Sequence, residues 1–456
     1  MIIRRILSAA LVPLAIILLT AGHSMAEATA EPQYFDFLTP LMFGARGDGK
    51  ADDTNALRRA IYESDHQGKV LFFPSGYHLK VTGTLNFYQG EYKSYTLNML
   101  GCIPVKKGSY SPKEYGGISV SKGVKLFHGA EITGSIDRMC ITGQRDLNVH
   151  FFDNCVCNGL IIKESNISNF GALFYDTPLR HVSQIVQNNF YTLYFFSRNE
   201  KTSSGMTDST ISLNYINGGS EMNDNSCFEW GYYNGCTISN NFIDFYRTIY
   251  RPRAVAKQSF VGPLSYSNQY QIFRYFYYAD EMFPSVTFTS TADAFNGNDP
   301  SLSEKVGRYK PETYKGKDGR VYEVPPYVAI CHSAWNTTIV NAKIENHMKA
   351  LVFVHSSLTE YEYNRFDVSF SGNNQYKAGQ INYKQGDSSP FYNGGKHRQN
   401  VMKIEGTVET MDALPETTMG WSSSVQGRTV RIGEKVYRAT NHLDGGKWKS
   451  TWDEIQ

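Results

Sequence analysis

Two acids sit where acids are rarely found. Glu229 lies inside the run SCFEW (226–230), and Asp176 closes FGALFYD (170–176). Asp and Glu are seldom buried without a partner, so an acid inside an aromatic run needs a reason. A wall facing water supplies one, because a carboxyl group there can give and take protons. Two such groups can protonate a leaving oxygen and activate an attacking water. Phe228 and Trp230 would point away from it in a strand, so partial burial would come from adjacent coils, raising the pKa of Glu229 and suiting it to the acid role. Asp176 would then be the base or the nucleophile. Glu221 and Asp224 in GGSEMNDNS (218–226) and Asp244 in FIDFY (242–246) compete for these roles. Glu164 and Asp208 read as solvated turn carboxylates.

Cations and rings accompany the acids. Arg198 closes FFSR (195–198), and RTIYRPR (247–253) carries Arg247, Arg251 and Arg253. These arginines, with Trp230, Tyr250 and His332, are the candidates for holding a substrate. His181, His347 and His355 are isolated and read as structural. No three neighbouring aspartates on one strand surface suggest a metal site. No cofactor is therefore expected, with calcium reserved for the case of a lyase.

Something must bring Asp176 and Glu229 together. Short aromatic and β-branched runs recur, broken by Asn, Gly and Ser. Aligned by eye, their first buried positions are Ile167, Phe190, Ile216 and Phe242, at steps of 23, 26 and 26 residues. Residues around Ile344 follow the same grammar. Repeated strands without helices point to a solenoid, in which each coil buries its apolar row only by stacking. The expected fold is all-β, a right-handed parallel β-helix. Recurrent asparagines at 166, 169, 188, 189, 214, 240 and 241 suit the bends. Parallel coils stack about 4.8 Å apart, so Asp176 and Glu229, two coils apart, would be roughly 9–10 Å apart. An inverting pair of carboxyls spans about 6.5–9.5 Å.

A solenoid needs its ends covered. FGARGDGKADDTNALRRAI (43–61) puts Leu57, Ala60 and Ile61 on one face of a helix from about Thr54 to Ser64. Asp52 or Asp53 is its N-cap candidate. Phosphate binding fails on spacing, since no G-x-x-x-x-G-K-[ST] is present. The same stretch, followed by GKVLFFPSGYHL (68–79), resembles the start of the pectate-lyase-like β-helix superfamily. That group holds polygalacturonase-type hydrolases, polysaccharide lyases and phage tailspike depolymerases. The resemblance implies a bacterial exopolysaccharide or capsular polysaccharide as the partner, and a monomer or a homotrimer. It carries over no catalytic residue, because the polygalacturonase set N-T-D, D-D, G-H-G and R-I-K is missing in order. Lyases of the group use Arg or Lys as base, often with calcium, and the 247–253 arginines could serve there. The leading reading is a glycoside hydrolase. The alternatives are a lyase acting on a uronic-acid polymer, or a binding or assembly protein that cleaves nothing.

The rest of the chain sets bounds. It has 456 residues and a formal net charge of +2, which gives no footprint for nucleic acid. Residues 1–30 carry Arg4 and Arg5, an apolar stretch and small residues, the pattern of a secretory signal. A periplasmic or extracellular protein follows, with no membrane span after signal removal. Seven cysteines are too few for a disulfide scaffold in a chain this long, and one disulfide is allowed. The expected domains are an N-terminal segment with its helix (31–68), the solenoid (69–410) with an excursion at about 258–330, and a small β cap (411–456). Trp448 and Trp452 read as hydrophobes of that cap.

Overall fold

The computed structural model describes residues 37–86, 94–103, 111–200, 204–219, 225–253, 260–277 and 286–296. Farther on it describes strands at Glu312–Lys315, Val321–Val324, Val328–Ile330, Thr337–Glu345, Ala350–Val352, Arg365–Ser371, Val401–Glu405, Thr407–Val408, Thr429–Ile432, Lys435–Asp444 and Lys447–Glu454. Residues 1–30, which the sequence reads as a secretory signal, lie outside the described residues. No helix among them is long and apolar enough to cross a membrane.

The strands stack in parallel, coil on coil. One inward row runs Leu79, Ile118, Ile141, Ile167, Phe190, Ile216, Ile243, Tyr270 and Phe295, each paired with the next, and the backbone pairing continues through residues 344 and 370. The register expected from sequence is correct at Ile167, Phe190 and Ile216 and slips by one at the next coil. Ile216 pairs with Ile243, and Phe242 pairs with Tyr215. The reason is an outer aromatic row: Phe242 stacks on Tyr215 at 5.5 Å, and Tyr215 meets Tyr191 at 5.0 Å. A second aromatic column fills the core. Phe127, Phe152 and Phe174 stack at 5.3 and 5.4 Å, and Phe228 stacks on Tyr250 at 5.2 Å. Full burial of each such ring contributes about 1.5–3 kcal/mol.

The bends are held by a ladder of buried side chains. The backbone N–H groups of Ser165, Asn188, Asn214 and Asn241 each donate to the Oδ1 of the asparagine one coil on, at 2.9–3.0 Å. Each Asn Nδ2 also donates to an isoleucine carbonyl, Ile162, Ile185, Ile211 or Ile238, at 2.8–2.9 Å. The left-handed backbone falls on the residue before each rung: Gln187, Leu213, Asn240 and Ser267. Asparagine is thus selected for both ends of its amide, which satisfy backbone groups that water cannot reach.

The ladder ends on an acid. Asp293 accepts from the Asn268 N–H at 2.7 Å and from the Ser265 and Ser290 hydroxyls at 2.5 and 2.6 Å. Burial pushes its carboxyl above the usual range, against those hydrogen bonds. A raised folded pKa gives a contribution to stability that is complete below the unfolded value, about 3.9, and is lost as pH rises through the folded one. Asp293→Asn keeps the acceptor and adds a donor that either serine can accept. We therefore expect Asp293→Asn to melt above wild type at pH 7, with the difference shrinking at pH 4, in thermal unfolding at both values.

The opening helix spans Thr54–Gln67, three residues longer than expected, and buries Leu57, Ala60 and Ile61 in the main core. Its two acids divide the work. Asp52 Oδ1 accepts the Thr54 N–H at 3.1 Å. Asp53 turns away and accepts from the N–H groups of Arg46 at 2.7 Å and Lys80 at 3.3 Å. That ties the glycine-rich turn to the first coil.

Two boundaries move. Strands Phe260–Tyr266, Gln269–Tyr277, Val286–Thr291 and Ala294–Asn296 continue the parallel stack, so the excursion is narrower than 258–330. It holds an antiparallel pair, Glu312–Lys315 with Val321–Val324. The last unit is a separate four-stranded sheet that starts at Thr407. Trp448 and Trp452 lie on its final strand. Cys102, Cys140, Cys155, Cys157, Cys227 and Cys236 are free thiols, and Cys331 lies outside the described residues.

Candidate active site

One edge of one sheet gathers the charged residues. His128 pairs with Asp153, Asp153 with Tyr175, and Tyr175 with Arg198 on successive coils. Ser197 pairs with Phe228, and Phe228 with Tyr250. The next residues along are Glu229, whose N–H donates to the Ser197 carbonyl at 3.1 Å, and Arg251, whose N–H donates to the Phe228 carbonyl at 2.8 Å. The row therefore reads His128, Asp153, Tyr175, Arg198, Glu229, Arg251.

Glu229 is the anomaly in it. Its exposure is 0%, and no well-formed hydrogen bond satisfies either carboxyl oxygen among the described residues, although the Asn199 backbone N–H lies close enough to favour the ionised form. The Arg253 Nε stands 3.5 Å from its Oε1. Burial pushes the carboxyl up to about 7, while the charges of Arg253, Arg251 and Arg198 pull the other way. An isolated buried carboxylate would be pushed further; three guanidinium groups hold this one near neutrality.

A second acid stands close by in the opposite state. Glu200 accepts the Tyr175 hydroxyl hydrogen bond on Oε2 and pairs with the Arg198 guanidinium through Oε1. The Tyr175 bond and the charges of Arg198 and Arg253 hold its carboxyl below the usual range, against burial. The Arg198 guanidinium lies 4.4 Å from the centre of the Phe195 ring, which fixes its plane. Asp176 follows Tyr175 in a left-handed turn at φ 44°. Its Oδ1 accepts the Glu200 N–H at 2.7 Å, and its own N–H donates to the Arg198 carbonyl at 2.8 Å.

The row continues into a histidine cluster. Asp153 accepts from His128 Nδ1 at 2.7 Å and also pairs with His150 Nδ1. Burial pushes Asp153 up, but His150, His128 and Lys125 outweigh it and hold the carboxyl below its usual range. The His150 ring stacks on Tyr175 at 4.0 Å. Tyr175 thus bridges the cluster and Glu200.

The structure sorts the residues expected from sequence. Glu229, Asp176, Arg198, Arg251 and Arg253 come together. Asp244 falls in another row, paired with Asn217 and Gln271, and bonds to the Tyr215 hydroxyl at 3.2 Å. The Arg247 guanidinium lies over the Tyr275 ring at 5.4 Å. Trp230 and Tyr250 are corrected as substrate contacts: both are fully buried in the core. Trp230 Nε1 is spent on the Thr177 carbonyl at 3.1 Å. Glu221, Asp224 and His332 lie outside the described residues. Glu200, Tyr175, His128, Asp153 and His150 were not singled out from the sequence. A hint lay in RNE (198–200), which repeats the turn position held by YDT (175–177) one coil earlier. No group of three or more His, Cys, Asp or Glu among the described residues could hold a metal ion.

The family model described as rhamnogalacturonase A/epimerase, pectate lyase-like, matches residues 41–95. No curated protein matches the chain. Among solved structures the chain is similar to a hyperthermoactive exopolygalacturonase from Thermotoga maritima, with 11% identity and TM-score 0.40 over 92% of this chain and 94% of that one. It is similar to the catalytic unit of a thermostable GH87 α-1,3-glucanase from Streptomyces thermodiastaticus, with 12% identity and TM-score 0.39 over 80% and 69%. It is equally similar to PfbA, a surface adhesin of Streptococcus pneumoniae, with 10% identity and TM-score 0.41 over 91% and 98%.

Proposed function

We propose that this chain is a polysaccharide hydrolase acting outside the cytoplasm, with Glu229 as the proton donor. One observation carries the reading: within one cluster, Glu229 is pushed up to about 7 while Glu200 is held low. Carboxyls whose environments drive their pKa values apart are the arrangement that general acid–base chemistry needs. A donor with a pKa near the working pH is both protonated and able to release its proton. The leaving oxygen of a glycosidic bond takes that proton, and an ionised carboxylate on the Asp176–Glu200 side serves the attacking water. Arg253, whose side chain is 34% exposed, stands over Glu229 and must swing aside for a substrate oxygen to reach it. Such side-chain motion is fast on the time scale of turnover. The pectate-lyase-like match of the N-terminal segment supports a polysaccharide as substrate. The match stops short of the cluster, so the residue roles rest on geometry.

The three arginines around Glu229 favour a second reading, elimination on a uronic-acid polymer, because a guanidinium can neutralise the sugar carboxylate. Product chemistry separates the two. On a panel of acidic and neutral bacterial exopolysaccharides, hydrolysis yields new reducing ends without ultraviolet absorbance. Elimination yields an unsaturated, absorbing uronate at each cut. Absorbing products would replace hydrolysis with elimination, and no products from any polymer would remove both.

A further inference from the structure

We infer that Glu200, in the turn after the strand Phe195–Arg198, is the general base that works opposite Glu229. The inference rests on the hydrolase reading and assigns its second carboxylate. Two acids contend for that role, and their surroundings differ. Asp176 is 4% exposed and spends Oδ1 on the Glu200 N–H. It shapes the turn, which makes it a positioning residue. The Glu200 side chain is 36% exposed and reaches the surface of the wall. Its two oxygens are aimed by two donors, the Tyr175 hydroxyl and the Arg198 guanidinium.

Each donor is itself braced. The Tyr175 ring stacks on His150 at 4.0 Å, and the Lys125 ammonium lies 6.0 Å from its centre. The Arg198 guanidinium rests on Phe195. The groups facing Glu200 are thus Tyr175, Arg198 and Arg253, with Asp176 beneath its backbone. A carboxylate fixed this way loses little freedom when a water binds to it. The Arg198 guanidinium pairs with Glu200, the Arg253 Nε stands 3.5 Å from Glu229, and the charges of both arginines act on both acids.

In the step, a water oxygen bonds to the anomeric carbon while its proton passes to Glu200. The bond from that carbon to the leaving oxygen breaks, and the leaving oxygen takes the proton of Glu229. One water is added overall. Glu200 then returns its proton to solvent, and Glu229 regains one.

The test uses the full chain and follows reducing ends across pH for wild type, Glu200→Gln, Glu200→Asp, Tyr175→Phe and Glu229→Gln. Glu200→Gln is expected to lose about 10²–10⁴-fold in kcat. Glu200→Asp should retain part of the rate, and added azide should rescue cleavage by Glu200→Gln, read as polymer shortening with a glycosyl azide in place of a reducing end, since an anionic nucleophile needs no base. Tyr175→Phe removes the leading cause of the low Glu200 pKa, so its acidic limb should move to higher pH. A purely structural role would not move that limb. Glu200→Gln within threefold of wild type, with Glu229→Gln inactive, would overturn the base assignment and leave the hydrolase reading standing. Wild type that releases no reducing ends would overturn both.

Discussion

Glu229→Gln lowers reducing-end release by about 10²–10⁴-fold, while the chain stays folded. The amide keeps the shape of the side chain and removes the transferable proton. With burial setting the carboxyl near 7, the wild-type rate should fall as pH rises past neutrality, because the donor is then ionised. Arg253→Gln removes the leading charge that stabilises the ionised form, so the alkaline limb should move up. Stability is expected to run the other way from activity. The folded pKa of Glu229 is raised, so its contribution is complete below the unfolded value, about 4.3, and is lost as pH rises through about 7. Glu229→Gln should therefore equal wild type in thermal unfolding at pH 4 and exceed it at pH 8. A folded Glu229→Gln variant that releases reducing ends at the wild-type rate would disqualify Glu229 as the donor.

Asn214→Ala is the second large effect, on stability rather than rate. The Asn214 amide donates to the Ile185 carbonyl at 2.8 Å and to Asn241 Oδ1 at 2.9 Å. Its Oδ1 accepts the Asn188 N–H at 2.9 Å. Alanine takes away the side-chain acceptor of the buried Asn188 N–H and the side-chain donor to the buried Ile185 carbonyl. Each stranded group costs about 1–3 kcal/mol, so a loss of about 3–5 kcal/mol is expected. Asn214→Asp should recover the acceptor half only and fall between. Urea unfolding measures the difference. An Asn214→Ala loss under about 1 kcal/mol would mean that the rung is not sealed from water.

The fold could be read because its repeat is written twice, once in apolar residues and once in asparagines. Ile167, Phe190 and Ile216 were enough to fix the first steps. The slip at Phe242 came from two adjacent apolar residues, Phe242 and Ile243, either of which satisfies an inward pattern. Only the outer stack on Tyr215 decides between them. Glu229 stood out as a charge inside SCFEW, but the water-facing wall expected for it is wrong: the side chain is fully buried. Trp230 and Tyr250 were misjudged for different reasons. The strand ends at Phe228, so alternation stops and Trp230 folds back inside, whereas Tyr250 closes its own strand and is buried by its stack on Phe228. Glu200 was missed because an acid after RN reads as a solvated turn; its partners, Tyr175 and Arg198, come from strand ends that stacking makes neighbours.

The asparagine ladder also fixes a pitch. It clamps each coil to the next from Ser165 to Asp293, so the charged groups on those coils behave like the teeth of a stiff comb. A polymer lying along it meets those teeth at an interval that the protein cannot adjust. Chains whose own repeat falls into step will seat without bending, and chains out of step must deform themselves to be cut.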